Sequence, residues 1–377
     1  MNLRRTWAVA RKEFLHITRD ARSLIMALAL PLLMLLLFGY ALTLDIDRIP
    51  TLVYDADRTP ESRDLIARLQ GSRYFQIRGY ADTYAAIEAA VDRNQCLLGV
   101  VVFNNYARDL LSGREADVQL LLDGSDSNTA SIALGYARSL LQMYDLELRA
   151  GAMNRRGGGA AGAPVEPRLR IWYNPDLKSR NYIVPGLIAV ILMIIAALLT
   201  SLTIAREWEM GTMEQLLSTP LRPAEVVLGK MAAFFALGVT DMLVAIVVGV
   251  GVFRVPLRGS LLFLAGTSGI FLVGALCWGI LISALVRSQL FAYQLGALTS
   301  FLPAFLLSGF IFSIENMPAA IQVITYLFPA RYFVTILKGV FLRGVGSRVL
   351  WAEAALLLAF AAVVFVLATR KLHQKVA

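Results

Sequence analysis

The chain has few of the side chains that catalytic and metal sites most often use. Its 377 residues include two histidines and two cysteines. His16 and His373 belong to no metal-ligand spacing and to no Ser/His/Asp set, and the positions of Cys96 and Cys277 predict no disulfide framework. The sequence also has no Gly-x-x-x-x-Gly-Lys-Ser/Thr loop for the phosphates of ATP. We therefore expect no catalytic, cofactor or metal site in this chain.

A basic surface for nucleic acid is missing too, although the formal net charge is +9. Residues 45–180 are nearly neutral, and the positive excess lies in residues 1–22 and in the tail from Arg370. No basic patch comes with base-stacking aromatic side chains, so we expect no nucleic-acid partner. Asp123 and Asp126 match a calcium loop weakly, but the terminal Glu is absent, and a turn followed by a helix cap explains them better.

Long apolar runs dominate the composition, which is 57% hydrophobic and far too apolar for a soluble globule of this size. The first run is longer than that of a cleavable signal peptide. Basic residues flank it and also follow the last run, which predicts that both termini are cytoplasmic. Six runs have about the 20 residues that a membrane span needs: 23–44, 181–205, 226–253, 260–286, 289–312 and 349–369.

A further apolar stretch, 319–342, resists assignment as a seventh span. Pro329 and Arg331 lie in its middle, and Lys338 follows. A central Arg costs about 2.5–3.5 kcal/mol on insertion scales, and proline breaks a helix. A seventh span would also move the basic tail outside. We expect 313–345 to form a re-entrant or interfacial element at the outer face.

Residues 45–180 form the one large polar segment, and strand and helix patterns alternate along it. Strands are predicted near 49–54, 97–103, 118–122 and 169–173. Thr59 is a predicted helix N-cap with Pro60 at the first helical position, and the Gly-rich residues 151–163 read as a linker. We predict a mainly α-helical integral membrane protein with six transmembrane helices. An α+β extracytoplasmic domain (45–180) is inserted between helices 1 and 2, and a five-helix bundle (181–377) follows it.

The first 22 residues have the pattern of an amphipathic helix. One helical stripe carries the apolar side chains Leu3, Trp7, Ala10, Phe14, Ile17 and Ala21. The other face carries Arg5, Lys12, His16 and Arg19. This pattern predicts an interfacial helix (1–22) on the inner surface of the membrane, in contact with lipid. An ordinary basic flank of the first span is the alternative.

A charged connector, residues 206–225, joins the second and third spans on the predicted cytoplasmic side. Residues 212–218 can form a helix, and prolines end it. Met210, Met213 and Leu217 are spaced to share one helical face. A short helix with an apolar ridge and acidic flanks can dock into a groove of a partner protein. The alternative is a solvated turn, which needs no such face.

Two sets of polar residues lie within the predicted spans. Asp241 in the third span faces an aqueous path or makes a structural hydrogen bond to a Ser, Thr or Gln on another span, and both interpretations stay open. We expect Lys230, near the start of the same span, to snorkel towards water. The fifth span can use its polar residues for a translocation path, a dimer interface or ordinary packing; they include Gln294, Thr299, Ser300 and Ser308.

Three separated motifs in this order resemble those of a known family. They are RKEFLHITRD at 11–20, the connector, and SGFIFSIENMP at 308–318. The chain resembles the permease subunits of type-2 ATP-binding-cassette exporters, in particular the bacterial multidrug-efflux branch. Trp208 departs from the family pattern, which often has a charged residue there. The matching N-terminal residues are Arg11, Lys12, Glu13, Arg19 and Asp20.

The resemblance implies a multi-subunit machine that moves drugs or other amphipathic compounds outward. Two permease chains, identical or different, pair in the inner membrane of a Gram-negative cell. Each docks on a separate ATPase subunit that binds ATP and Mg, and the outer domain meets a periplasmic adaptor protein. The connector acts as the coupling helix, and the residues implied at that contact are Glu207, Glu209, Gly211, Thr212, Glu214, Leu217 and Pro220.

Two functions of other classes remain as alternatives. An ion-coupled secondary transporter using Asp241 would need internal repeats or paired broken helices, and the sequence shows neither. A membrane receptor sensing through residues 45–180 would need a cytoplasmic signalling domain, whereas the predicted cytoplasmic segments are short loops and tails. A copurified ATPase subunit would distinguish the exporter from both.

Overall fold

The computed structural model describes residues 2–42, 48–155, 172–174 and 178–376. The chain divides into two compact units, of which one comprises Met1–Thr43 with Ile171–Ala377 and the other Leu44–Arg170. The α-helices of the described chain are, in order, α1 (Leu3–Arg19), α2 (Ala21–Ala41), α3 (Pro60–Gly71), α4 (Tyr84–Asp92), α5 (Tyr106–Leu111), α6 (Ser127–Arg155), α7 (Ser179–Glu209), α8 (Met213–Leu217), α9 (Pro223–Gly251), α10 (Leu261–Leu285), α11 (Gln289–Leu306), α12 (Ala319–Thr325), α13 (Pro329–Lys338) and α14 (Ser347–Val376).

The first unit is a helical bundle around α7. This helix is apolar on all sides, and its residues are buried almost continuously from Asn181 to Ala197. A helix without a polar face is expected to lie inside a bundle. Helices α2, α9, α10, α11 and α13 all pack against α7, and α14 packs against α10.

By length and composition, four of the described helices can cross a membrane. They are Ser179–Glu209, Pro223–Gly251, Leu261–Leu285 and Ser347–Leu372. A fifth crossing is possible if α12 and the segment Pro329–Arg343 count as one broken span. The chain is therefore a multi-pass helical membrane protein by these measures, and the count of six remains a prediction.

The ambiguous apolar stretch is bent. A short 3-10 helix, Ile314–Asn316, precedes α12, and Ala319–Thr325 meets Pro329–Arg343 at an angle of 85°. Pro329 begins α13 at the first helical position, where its missing N–H is tolerated. Arg331 lies over the Tyr326 ring and donates to the carbonyl oxygen of Gln322. This geometry is that of a broken span or of a re-entrant hairpin.

The second unit contains a four-stranded sheet in the order β2-β1-β3-β4, formed by β1 (Ile49–Asp55), β2 (Phe75–Tyr80), β3 (Leu98–Val102) and β4 (Val118–Leu122). Strand β1 pairs in parallel with β2 and β3, and β3 pairs antiparallel with β4. The central strand β3 is buried along its whole length, as expected for a continuous apolar run. Helices α3 and α6 cover the sheet core through Ile66, Leu69, Ala133 and Ala137.

Several local predictions can be compared with this unit. Thr59 caps α3 by accepting from the Ser62 N–H, with Pro60 as the first helical residue, as predicted. The turn at Asp123 is also confirmed, since its carboxylate accepts from the Ser125 N–H. Strand β2 was not predicted. The predicted linker begins too early, because α6 continues to Arg155, and most of the strand predicted at 169–173 lies outside the described residues.

Candidate functional site

The N-terminal helix α1 packs closely against the start of α9. A Cβ atom added at Gly229 would lie 2.6 Å from Val9 Cβ and 2.9 Å from the carbonyl oxygen of Thr6. Only glycine permits this approach of the two backbones. Val9 and Ala10 are buried at the contact. The glycine therefore allows α1 to be held directly on a candidate membrane span.

Four charged side chains meet beneath this contact, and we call them the buried ion cluster: Lys12, Glu13, Glu207 and Lys230. Lys230 Nζ lies 2.8 Å from Glu13 Oε1 and 3.0 Å from Glu207 Oε1. Lys12 Nζ also donates to Glu207 Oε1, at 2.9 Å. Two ammonium groups and two carboxylates compensate each other, which is the condition under which buried charges are tolerated.

The cluster corrects the expectation for Lys230. Its side chain does not snorkel, because it is 1% exposed and ion-paired with α1 and with the end of α7. Lys12 is the exposed edge of the cluster. Burial lowers the pKa of Lys12, but the hydrogen bond and the charge of Glu207 outweigh this effect and raise its pKa above the ordinary value. The lysine therefore stays charged at neutral pH.

The start of α1 is tied to the connector as well. The Asn2 N–H donates to Glu225 Oε1 at 2.6 Å, and Arg5 Nη1 donates to the carbonyl oxygen of Pro220 at 2.5 Å. The Arg222 N–H donates to the second oxygen of Glu225. The N-terminal segment thus contacts the beginning of α9 through Asn2 and the end of α7 through Lys12.

The other N-terminal motif residues take different positions. Arg11 and Arg19 are exposed, and the backbone N–H of Asp20 closes α1 on the His16 carbonyl. Leu3 and Trp7 are exposed on the apolar stripe. Ala10 of the same stripe is buried, so the structure divides the stripe. Its exposed part, which also includes Phe14, is open for the lipid contact predicted for an interfacial helix.

The connector begins with a tight turn at Gly211. Helix α7 ends at Glu209 with Met210 as its C-cap, and the Gly211 N–H donates to the carbonyl oxygen of Trp208. Gly211 has φ +71°, a left-handed conformation that glycine adopts without strain. Thr212 is the N-cap residue of α8, and its hydroxyl donates to the carbonyl oxygen of Glu207.

Helix α8 does not present the apolar face that the sequence predicted. Met213 is 1% exposed and packs inside the bundle against Ile204, Val226 and Ile280, whereas Met210 is 66% exposed. The turn at Gly211 separates the two methionines, so helical spacing does not hold across it. The side chain of Leu217 lies outside the described residues.

We call the buried Met213 side chain and its apolar contacts the Met213 plug. The connector also has an exposed surface that is acidic and polar. We call it the connector tip, and its exposed members are Glu209, Met210, Gly211, Glu214, Gln215 and Pro220. Glu209 Oε2 accepts from the Gln289 N–H at 2.8 Å, which ties the tip to the start of α11. Glu207, by contrast, belongs to the buried ion cluster and not to this surface.

Asp241 lies on α9 and is 3% exposed. It lines a cavity of about 10 Å³, about the space that one water molecule needs, and the other lining residues are apolar or glycine. Among the described residues, no hydrogen bond or ion pair to its carboxylate is found. The interhelical hydrogen bond to Ser, Thr or Gln that the sequence suggested is therefore not observed.

The polar residues of the fifth predicted span do not join Asp241. Thr299 accepts from Trp278 Nε1 at 3.2 Å, and Ser300 donates to the Gly296 carbonyl within α11. Gln294 is exposed, and the buried Ser308 hydroxyl has no hydrogen-bond partner in the described part of the chain. Contacts within the bundle therefore account for Thr299 and Ser300. Gln294 and Ser308 have different surroundings, so the four residues do not form one polar site in the described structure.

Glu225 and Asn2 are site residues that the sequence analysis missed. Glu225 lies at the start of α9, where acids are common, so its sequence position carries no special signal. Its bond to Asn2 joins residues 223 positions apart. The two prolines within the connector, Pro220 and Pro223, were the available hint that the backbone there is held in one conformation.

The fold and the site define a multi-pass helical membrane protein whose short intramolecular connector is anchored by an N-terminal helix. The chain belongs to the family of ABC-2 family transporter proteins, whose sequence profile matches residues 21–370. This match confirms the family resemblance that the three sequence motifs indicated.

Relatives similar over nearly the whole chain support this assignment. The chain is 36% identical over 368 residues to the probable multidrug ABC transporter permease YbhS of Escherichia coli K12, covering 97% of this chain and 96% of the relative. It is 30% identical to the probable multidrug ABC transporter permease YbhR of the same strain, with 92% of each chain covered. The inner membrane transport permease YhhJ of that strain is 27% identical, with 77% of this chain and 76% of the relative covered.

Proposed function

We propose that this chain is the membrane-spanning permease subunit of an ATP-driven exporter, and that a separate subunit binds and hydrolyses ATP. The observation that carries the proposal is the connector tip. It is exposed, yet the Met213 plug, the Arg5 bond to Pro220 and the buried ion cluster join its base to α1, α7 and α9. A force applied at the tip would therefore reach several spans.

The proposed topology has six spans, with both termini and the connector in the cytoplasm. Helix α2 and helix α11 supply the two further crossings. Helix α11 has 18 residues and is about 27 Å long, close to the thickness of the hydrocarbon core. The bent α12–α13 element is then re-entrant, and the sheet unit is the extracytoplasmic domain.

The proposed partners follow from the family. A second permease chain pairs with this one, each chain docks on an ABC ATPase that carries ATP and Mg, and the sheet unit meets a periplasmic adaptor. The relatives YbhS and YbhR are described as probable multidrug permeases and YhhJ as an inner membrane permease. These descriptions support drugs or other amphipathic compounds as the cargo and the bacterial inner membrane as the location.

One observation favours a second function. Asp241 is a buried acid with no partner among the described residues, and an unpaired intramembrane acid is often part of an ion or proton pathway. An ion-coupled transporter would use such a group. Its energy source would be an ion gradient, which separates it experimentally from the proposed exporter.

The test is transport by the reconstituted protein. The chain is purified with its ATPase subunit, placed in liposomes, and assayed with a fluorescent cationic dye. The proposal expects dye movement that needs ATP and Mg and that persists when sodium and proton gradients are collapsed. Movement driven by a gradient without ATP would reject the exporter and support the ion-coupled alternative.

A further inference from the structure

Four exposed arginines lie at the end of the bundle opposite the connector, and we call them the outer arginine cluster: Arg254, Arg258, Arg343 and Arg348. The first two follow the end of α9, and the others flank the beginning of α14. The connector and the buried ion cluster lie at the other end of α9, some 20 residues and about 30 Å away.

The two segments that carry these arginines are joined to each other. The Gly259 N–H donates to the carbonyl oxygen of Val340 at 2.9 Å, and the Arg258 N–H donates to that of Phe341 at 3.3 Å. Arg258 Nη1 also donates to the carbonyl oxygen of Leu342. The outer arginine cluster therefore lies on two chain segments that are hydrogen-bonded to each other.

Its charge is not compensated locally. From residue 242 to residue 377 the sequence contains two acidic residues, Glu315 and Glu353, of which Glu353 lies near the start of α14. No carboxylate forms an ion pair with these four arginines among the described residues. Helices α10 and α14 also begin here, and their N-terminal ends add partial positive charge. Arginines on the outer side oppose the usual charge bias of membrane proteins, so topology gives no reason for them.

Exposed apolar side chains border the cluster. They include Leu261 and Leu262 at the start of α10, and Val349 and Trp351 at the start of α14. Trp351 is 67% exposed. A tryptophan beside basic residues, with aliphatic side chains next to it, is typical of the level where lipid headgroups meet acyl chains.

We propose that the outer arginine cluster binds the headgroup of an anionic phospholipid. The guanidinium groups donate paired hydrogen bonds to the phosphate oxygens, a geometry that Arg provides and a neutral side chain does not. The acyl chains lie along Leu261, Leu262 and Val349. That the lipid belongs to the outer leaflet rests on the orientation given under the proposed function.

Native mass spectrometry of the full-length detergent-purified protein tests the site. Phosphatidylglycerol and phosphatidylcholine are offered in equal amounts, and the ratio of retained lipids is measured. Wild-type protein should prefer phosphatidylglycerol. The variant R254Q/R258Q/R343Q/R348Q should lose this preference by about tenfold or more, because several nearby cationic contacts are removed together. An unchanged ratio would overturn the proposal.

Four further measurements separate the interpretations. The variant R63Q/R78Q/R93Q/R114Q removes the same charge from exposed positions of the sheet unit, and its preference should stay at the wild-type level. The four-site Lys variant should recover most of the preference. Inorganic phosphate should not displace the lipid, and displacement would indicate a site for free phosphate. A photocrosslink from position 349 into residues 48–155 would also overturn the lipid assignment.

The binding assay is independent of transport. It needs neither ATP nor an ATPase subunit, and detergent solution has no sidedness. The lipid site can thus fail while the exporter proposal stands, and the reverse also holds.

Discussion

Lys230 Nζ lies 2.8 Å from Glu13 Oε1, although 217 positions separate the two residues in the chain. The contact joins a candidate membrane span to the N-terminal helix α1. Glu207, at the end of α7, accepts from the same ammonium group. Three helices therefore depend on one buried cation, and one of its carboxylate partners, Glu207, lies two residues before Glu209 of the connector tip.

Replacing that cation tests the buried ion cluster. Lys230→Met leaves Glu13 and Glu207 with Lys12 alone, and we expect a loss of about 3–5 kcal/mol of unfolding free energy, as is typical when one partner of a buried pair is removed. Unfolding in mixed detergent micelles, followed by circular dichroism, measures it. The matched control Arg4→Met, at an exposed site of α1, should stay within about 0.5 kcal/mol of wild type.

The pairing itself is tested by a double-mutant cycle. Lys230→Met combined with Glu13→Gln should cost clearly less than the sum of the two single changes, because the second change removes a carboxylate that the first left uncompensated. Strict additivity would mean that the two side chains do not interact.

Gly229 sets the distance between α1 and α9. Gly229→Ala places a methyl group 2.6 Å from Val9 Cβ, and overpacking of this kind costs about 1–3 kcal/mol. The control is Gly266→Ala in the second turn of α10, where a Cβ meets nothing within 4 Å. That change should be neutral or stabilise by up to about 1 kcal/mol. Thermal unfolding of both variants decides, and equal melting temperatures would contradict the close contact.

The sequence could predict what short-range patterns encode. Runs of apolar residues predicted the long helices, and Thr59 with Pro60 predicted the start of α3. Strand β2 was missed because its sequence, FQIRGY, mixes polar residues and glycine at the edge of the sheet, where burial is incomplete. Lys230 was misjudged for another reason. A lone lysine in an apolar run gives no sign of partners 23 and 217 positions away.

The connector shows the same limit. Periodicity grouped Met210 with Met213, but the left-handed turn at Gly211 interrupts the helix and sends the two side chains to different surroundings. A glycine in a charged segment signals a turn, yet its φ angle cannot be read from one sequence. The family motif identified the connector, whereas the three-dimensional structure was needed to divide it into a plug and a tip.

Asp241 should respond differently to two substitutions. Asp241→Asn keeps a group that can hydrogen-bond to a water molecule in the small cavity, and it should assemble and transport at close to the wild-type rate if the role is structural. Asp241→Leu overpacks the cavity and should lower stability by about 1–3 kcal/mol. Dye export in liposomes and thermal unfolding are measured together. Normal assembly with abolished transport in Asp241→Asn would favour a charge-dependent role.

Cysteine labelling tests the proposed orientation. Both native cysteines are buried and are first replaced by alanine. A cysteine at the exposed position 210 should react with an impermeant maleimide only after the inner membrane is opened. A cysteine at the exposed position 114 in the sheet unit should already react in cells whose outer membrane is permeabilised and whose inner membrane is intact. Labelling of position 210 from outside would reject cytoplasmic placement of the connector.

The connector tip carries the last prediction. Met210→Asp changes an exposed side chain, so the protein should fold and insert normally but retain its ATPase about tenfold less well, as expected for a contact at the centre of an interface. Leu217→Asp should have the same effect if this residue fills the partner groove. Glu214→Ala should cost less, because exposed rim charges contribute little to affinity.

Met213→Asp is the contrasting control, since it buries a charge among Ile204, Val226 and Ile280 and should prevent stable folding. Copurification of the ATPase and the rate of dye export are measured for each variant that inserts. Wild-type values for both Met210→Asp and Leu217→Asp would mean that the force of ATP hydrolysis enters the bundle elsewhere, and the coupling role of the connector would have to be abandoned.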